Sequence, residues 1–101
     1  MSDVSSMRSC ILRDAAAAVT GDREGCYGSP ESNFERIAKL WNVYLGFEGE
    51  NGITPADVAT MMILLKVSRI ASKQQAKVDN WIDIAGYAAC GGEIDMGGAA
   101  E

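Results

Sequence analysis

The stretch Lys77-Val78-Asp79-Asn80-Trp81-Ile82-Asp83-Ile84-Ala85-Gly86-Tyr87-Ala88-Ala89 decides how this chain is read. It lacks proline and is rich in alanine, so it predicts a helix. At about 100° per residue, Val78, Trp81, Ile82, Ala85, Ala88 and Ala89 share one apolar face, the expected core face. Asp79 and Asp83 lie on its flank, and Gly86 and Cys90 continue the same strip. Two carboxylates one turn apart repel by a few tenths of a kcal/mol. Solvent, a basic neighbour or a divalent cation must offset that repulsion.

Working outward, the preceding segment predicts a second helix from Thr54 to about Ser72. Thr54-Pro55-Ala56-Asp57 combines a capping box with a proline in the first turn. The helix is apolar almost all round, through Val58, Met61, Met62, Ile63, Leu64, Leu65, Val67 and Ile70. Such a helix is central or is shared with another subunit. Its polar strip is basic: Lys66, Arg69 and Lys73 fall within about 60° of one another. A short connector near residues 74–76 makes the two helices an antiparallel hairpin.

Two further helices precede them. The first runs from about Ser5 to Val19, with Met7, Ile11, Leu12, Ala15, Ala18 and Val19 as its apolar stripe. The next opens near Pro30, where Ser32-Asn33-Phe34-Glu35 has the pattern of a capping box, and continues to Gly46. Between them, residues 21–30 contain three glycines and a proline and read as a loop. Arg23 and Tyr27 sit there among residues that let a backbone approach a ligand. Trp41, Tyr44 and Trp81 fall on apolar faces and are expected in the core. The reading is therefore all-α, with four helices in one domain over residues 1–90 and a flexible glycine-rich tail over 91–101.

Composition narrows the function. The 101 residues carry nine basic and fourteen acidic side chains, a net charge of −5. That balance disfavours duplex nucleic acid and anionic membrane, both of which reward positive charge. No secretory signal or apolar run of membrane-spanning length is present in the sequence. Three cysteines without C-x-x-C spacing fit free thiols in a reducing cytoplasm. With no histidine, triads and Cys/His zinc sites are excluded.

The chemistry then rests on a few side chains. Asp79 and Asp83 could hold Mg²⁺, which is often bound through one or two carboxylates and substrate phosphates. They could equally pair with Lys66, Arg69 or Lys73 across the hairpin. Glu35 and Asp57 are further acids that could join them, although each occupies the third position of an expected capping box. Lys66, Arg69 and Lys73 could bind phosphates, or neutralise the aspartates. Arg23 could add a phosphate contact and Tyr27 a stacking ring, or Tyr27 could close over the core. Cys26 and Cys90 read as small buried residues rather than nucleophiles.

The order Gly21-Asp22-Arg23…Tyr27-Gly28-Ser29-Pro30…Asn33-Phe34…Leu40-Trp41, then Lys66-Val67-Ser68-Arg69-Ile70, then Asp79…Asp83-Ile84-Ala85-Gly86-Tyr87-Ala88 resembles a known group. It is similar to small phage and prophage proteins related to the nucleotide-modification-associated and MazG-like all-α proteins, over roughly residues 8–90. The resemblance implies a helical bundle completed by homo-oligomerisation, with a nucleotide-related site between helices in the cytoplasm of a bacterial host. It maps a Mg²⁺-binding acidic pair onto Asp79 and Asp83; on the preferred reading Arg23, Lys66, Arg69 and Lys73 engage phosphates, Tyr27 stacks on the base, Tyr87 joins the ligand set, and Glu35 adds to the Mg²⁺ ligands. MazG-type enzymes hold Mg²⁺ with two acidic pairs and cleave nucleoside triphosphates. Here the first pair is incomplete, because Glu35 is followed by Arg36 and Lys39 without a second acid one turn on. No catalytic residue is assigned. Three readings stay open: a Mg-dependent pyrophosphohydrolase-like protein, a non-catalytic sponge for a nucleotide immune signal, and a helical interaction protein without a ligand.

Overall fold

The computed structural model describes residues 6–21, 29–73 and 75–98. These form four α-helices: α1 (Met7–Thr20), α2 (Pro30–Leu45), α3 (Pro55–Ala71) and α4 (Val78–Asp95). A single 3₁₀ turn, Gly49–Asn51, lies between α2 and α3, and the described residues contain no strand. The all-helical expectation is met.

Local chemistry explains most helix ends. Ser6 caps α1, its hydroxyl accepting from the Ser9 amide at 3.1 Å. At α3, Thr54 Oγ1 accepts from the Asp57 amide at 3.1 Å, and Asp57 Oδ2 accepts from the Thr54 amide at 2.9 Å. That reciprocal pair is the capping box read from the sequence. The box expected at Ser32–Glu35 does not form. Ser29 caps α2 instead, accepting from the Ser32 amide at 3.1 Å. Pro30 explains the shift, since its fixed φ and missing N–H suit the first helical position, which puts the cap at Ser29, three residues before Ser32. Gly46 ends α2 in the left-handed region at φ 77°, its amide donating to the Asn42 and Val43 carbonyls.

The connector is clamped to α2 by one side chain. Asn42 Nδ2 donates to the Ile53 carbonyl at 3.0 Å, and Asn42 Oδ1 accepts from the Ile53 amide at 2.7 Å. A Cβ on Gly52 would lie 2.9 Å from Asn42 Oδ1, so any side chain there would have to displace that amide from its two bonds to Ile53. Lys73, just beyond α3, adopts φ 58°, the one non-glycine positive φ among the described residues.

Helix α4 is the hub. It packs most extensively against α3, then against α1, and touches α2, which itself lies on α3. Two glycines set these approaches. A Cβ on Gly91 would stand 2.8 Å from Ala59 Cβ of α3, and one on Gly86 would meet Val19 of α1 at 3.4 Å. Phe34, Ala38, Val58, Ala59 and Cys90 form the core cluster, with Ile37, Trp41, Met62, Tyr87 and Ile94 packed around it.

Three expectations need correction here. First, α4 does not stop at residue 90 but runs to Asp95, and Ile94 packs against the core. Two internal glycines cost roughly 1 kcal/mol each in helix propensity. Contact at the Gly91 crossing and burial of Ile94 offset that cost. Second, α4 turns a different face inward. Its fully buried residues are Gly86 and Cys90, on the strip flanked by Asp79 and Asp83. Trp81 remains 52% exposed, and Val78, Ala88 and Ala89 are exposed as well. Small side chains let helices approach closely, so the narrow strip is favoured over the bulkier one. Third, Tyr44 stands 88% exposed, and neither it nor Trp81 enters the core; Trp41 is half-buried against it.

The core that results is thin. Among the described residues, the fully buried apolar side chains are Ala15, Phe34, Ala38, Val58, Ala59 and Cys90. On α3, Met61, Leu64, Leu65 and Val67 are all exposed.

Candidate functional site

The α3–α4 hairpin brings the basic strip of one helix beside the acidic strip of the next. Lys66 projects from the side of α3 that meets α4, so its aliphatic stem is covered and its side chain is only 13% exposed. Its Nζ reaches Asp83 Oδ2 at 2.9 Å, while Asp83 keeps 40% of its side chain exposed. The pair is therefore sheltered on the lysine side and open on the carboxylate side. Asp79 lies one turn before Asp83 and is exposed; Arg69 lies one turn beyond Lys66 and is exposed. Neither Asp79, Arg69 nor Lys73 takes part in an ion pair among the described residues. The strip is thus one closed rung with unpaired charge of both signs beside it, not a closed ladder.

The other expected site residues divide into three groups. Tyr87 follows Asp83 by one turn and is half-buried, its ring tilted 38° to that of Phe34 with centroids 6.3 Å apart. Glu35 lies on α2, exposed, 3.9 Å from Lys39 Nζ. Among the described residues no three Asp, Glu or Cys side chains converge as a metal site, so Glu35 is not grouped with Asp79 and Asp83. Arg23, Tyr27 and Cys26 lie outside the described residues. Asp57 is engaged in its cap, as its sequence position suggested.

A groove of about 370 Å³ opens between the start of α3 and the end of α4. Asp57, Thr60, Ile63, Tyr87, Gly92 and Asp95 are among its walls. Thr60, Gly92 and Asp95 have no place in the sequence reading, because Gly91-Gly92 was expected to begin a tail. Continuing the helical period through those glycines would have found the two on α4: Gly92 and Asp95 follow Ala88 at i+4 and i+7. No helix among the described residues is long and apolar enough to cross a membrane. The one titratable group with a shifted pKa among the described residues lies elsewhere, at exposed Arg13 on α1. Arg13 Nε donates to Asp14 Oδ1 at 3.2 Å, and that hydrogen bond, then the carboxylate's charge, raises the Arg13 pKa.

Comparison with known proteins places this architecture in a family. The model of the family described as "Domain of unknown function (DUF6378)" matches residues 10–95, from α1 to the end of α4. The Gene 55 protein of Mycobacterium phage D29 is 39% identical over 84 residues, covering 83% of this chain and 52% of that protein. The Gene 55 protein of Mycobacterium phage L5 is 44% identical over 80 residues, covering 77% and 47%. The chain spans about half the length of the curated relatives it matches. No solved structure matches it. The chain belongs to the DUF6378 family, a domain of unknown function that it shares with these phage proteins.

Proposed function

We propose that this phage-type protein binds a nucleotide or nucleotide-derived phosphate ligand on the α3–α4 strip. The observation that carries the reading is the 2.9 Å Lys66–Asp83 pair flanked by unpaired Arg69 and Asp79. A phosphate group would be met by Arg69, whose planar fork suits its oxygens, and by Lys73 as a point charge. Lys66, already neutralised by Asp83, would serve mainly to hold that carboxylate in place. Asp79 and the open side of Asp83 would accept from ribose hydroxyls or hold Mg²⁺ between themselves and the phosphates. Arg23, Tyr27 and the edge of Tyr87 complete the proposed ligand set.

Binding without turnover is the preferred form. A Mg²⁺ ion bound there would supply activation of water against a phosphoanhydride. Asp79 and Asp83, however, have no third acid grouped with them among the described residues. A MazG-like pyrophosphohydrolase is therefore the second choice, behind a protein that sequesters a nucleotide signal inside the infected bacterium.

Titration calorimetry against nucleoside mono-, di- and triphosphates, cyclic nucleotides and ADP-ribose, each with and without Mg²⁺, tests the proposal. Micromolar binding that weakens about tenfold in Arg69→Ala is expected, as for loss of one charge-assisted contact. Flat titrations of the unaltered protein across that panel refute it. Product formation lost in Asp83→Asn would move the reading to hydrolysis.

A further inference from the structure

The groove between the start of α3 and the end of α4 occupies the open end of the hairpin, and apart from Tyr87 it shares no residue with the ligand set of the Lys66–Asp83 strip. Its volume of about 370 Å³ falls in the range of small-molecule pockets. Ala56, Ala59 and Ile63 of α3 and Ala88, Gly91 and Gly92 of α4 give it an apolar floor. Asp57, Thr60, Tyr87 and Asp95 are its polar side chains, and no lysine or arginine lines it. We propose that this groove binds a small aliphatic amine, with the ammonium held by Asp57, Asp95 and Thr60 and the methylene chain laid along the floor.

Hydrogen-bonding capacity selects the ligand. Thr60 Oγ1 donates its proton to the Ala56 carbonyl at 3.0 Å and offers the groove only lone pairs. Asp57 Oδ2 accepts from the Thr54 amide, which leaves Oδ1 open. Asp95 makes no hydrogen bond or ion pair among the described residues. It also ends α4, whose last turn carries no basic residue, so its charge stands at the negative end of the helix dipole. Asp57 and Thr60 lie one turn apart on α3, and the antiparallel pairing of the hairpin brings the last turn of α4 beside them. An ammonium, with three donors and no acceptor, is the complement of these acceptors. A phosphate would be repelled.

The floor and the walls narrow the class further. Alanine, glycine and Ile63 shelter a short methylene chain from water, a gain that a bare ammonium or metal ion does not make. Among the described residues no three Asp, Glu or Cys side chains converge as metal ligands, so a hard cation lacks the oxygen shell it requires. The walls are helices whose backbone groups bond within α3 and α4, and they offer no strand edge along which a peptide main chain could pair. A free amine needs neither an oxygen shell nor a strand edge.

Amide chemical shifts of the full chain, titrated with n-butylamine at neutral pH, read the result. Saturable shifts at Asp57, Thr60, Gly92 and Asp95 are expected, half-complete at about 1 mM, whereas n-butanol and butyrate should not saturate. Asp95→Asn is expected to weaken the amine about tenfold, as for one charge-assisted contact, and to leave the nucleotide titrations unchanged. Gly92→Leu fills the groove with little risk to the fold, because a Cβ there meets nothing within 4 Å and the change improves helix propensity. It should abolish saturation with unchanged helical circular dichroism. Asp14→Asn on α1 makes the same change in net charge and should have no effect. A loss there equal to that of Asp95→Asn would reveal bulk attraction to an acidic chain and overturn the site. Failure of n-butylamine to saturate would overturn it too, and binding of Nα-acetyl-lysine methylamide about tenfold tighter than n-butylamine would overturn the free amine in favour of a partner's lysine side chain.

Discussion

Two adjacent glycines in α4 provide a sharp test of how the hairpin is held. At Gly91 an added Cβ would sit 2.8 Å from Ala59 Cβ, closer than methyl groups approach, whereas at Gly92 it would meet nothing within 4 Å. Both substitutions to alanine gain helix propensity, about 0.8–1 kcal/mol in a helix interior. Gly91→Ala must in addition force α3 and α4 apart at their crossing, and overpacking of this kind costs about 1–3 kcal/mol. The net expectation is destabilisation by about 1–2 kcal/mol at Gly91 and stabilisation of up to about 1 kcal/mol at Gly92. For a chain of this size, 1 kcal/mol moves the unfolding midpoint by about 4–8 °C. The assay is urea and thermal unfolding followed by helical circular dichroism, with both variants at one protein concentration so that any association is held constant. Gly91→Ala should also be relieved by Ala59→Gly, since the second change removes the atom it strikes. If Gly91→Ala were as stabilising as Gly92→Ala, the close crossing of α3 and α4 would be wrong, and the placement of the Lys66–Asp83 pair with it.

Two more predictions address the site. Lys73 holds φ 58°, a region that disfavours residues with a Cβ, so Lys73→Gly is expected to raise stability by about 1 kcal/mol in urea unfolding. It should also weaken nucleotide binding if the ammonium meets phosphate; unchanged stability would refute the backbone strain. Asp83→Ala leaves the sheltered Lys66 ammonium without its 2.9 Å partner and is expected to cost about 1–2 kcal/mol. Lys66→Met in that background should recover most of the loss, and a double variant no more stable than Asp83→Ala would show that the pair is not coupled.

Much of the candidate site was legible because it depends on helix spacing alone. Lys66 with Arg69, and Asp79 with Asp83, fall on common strips of their helices wherever those helices go, and a short connector obliges the strips to meet. The capping box of Thr54 and Asp57 was equally legible, being a local hydrogen-bond pattern. The box at Ser32 was not, because Ser29 and Pro30 offered a competing start that the fold took. Glu35 stands apart from Asp79 and Asp83 among the described residues for a related reason: a sequence says which side of α2 it occupies, not which helix lies opposite.

The order of helices, their lengths to within a turn over most of the chain, and the pairing of basic with acidic strips follow from the amino acids alone, since each is set by neighbours within a few residues. Which side of α4 turns inward was a tertiary decision. Side-chain hydrophobicity pointed to the Trp81 face, but backbones approach most closely where side chains are smallest, and Gly86, Cys90 and Gly91 won that contest. The same approach draws Ile94 into the core, carries α4 on to Asp95 and leaves the broad apolar face turned outward.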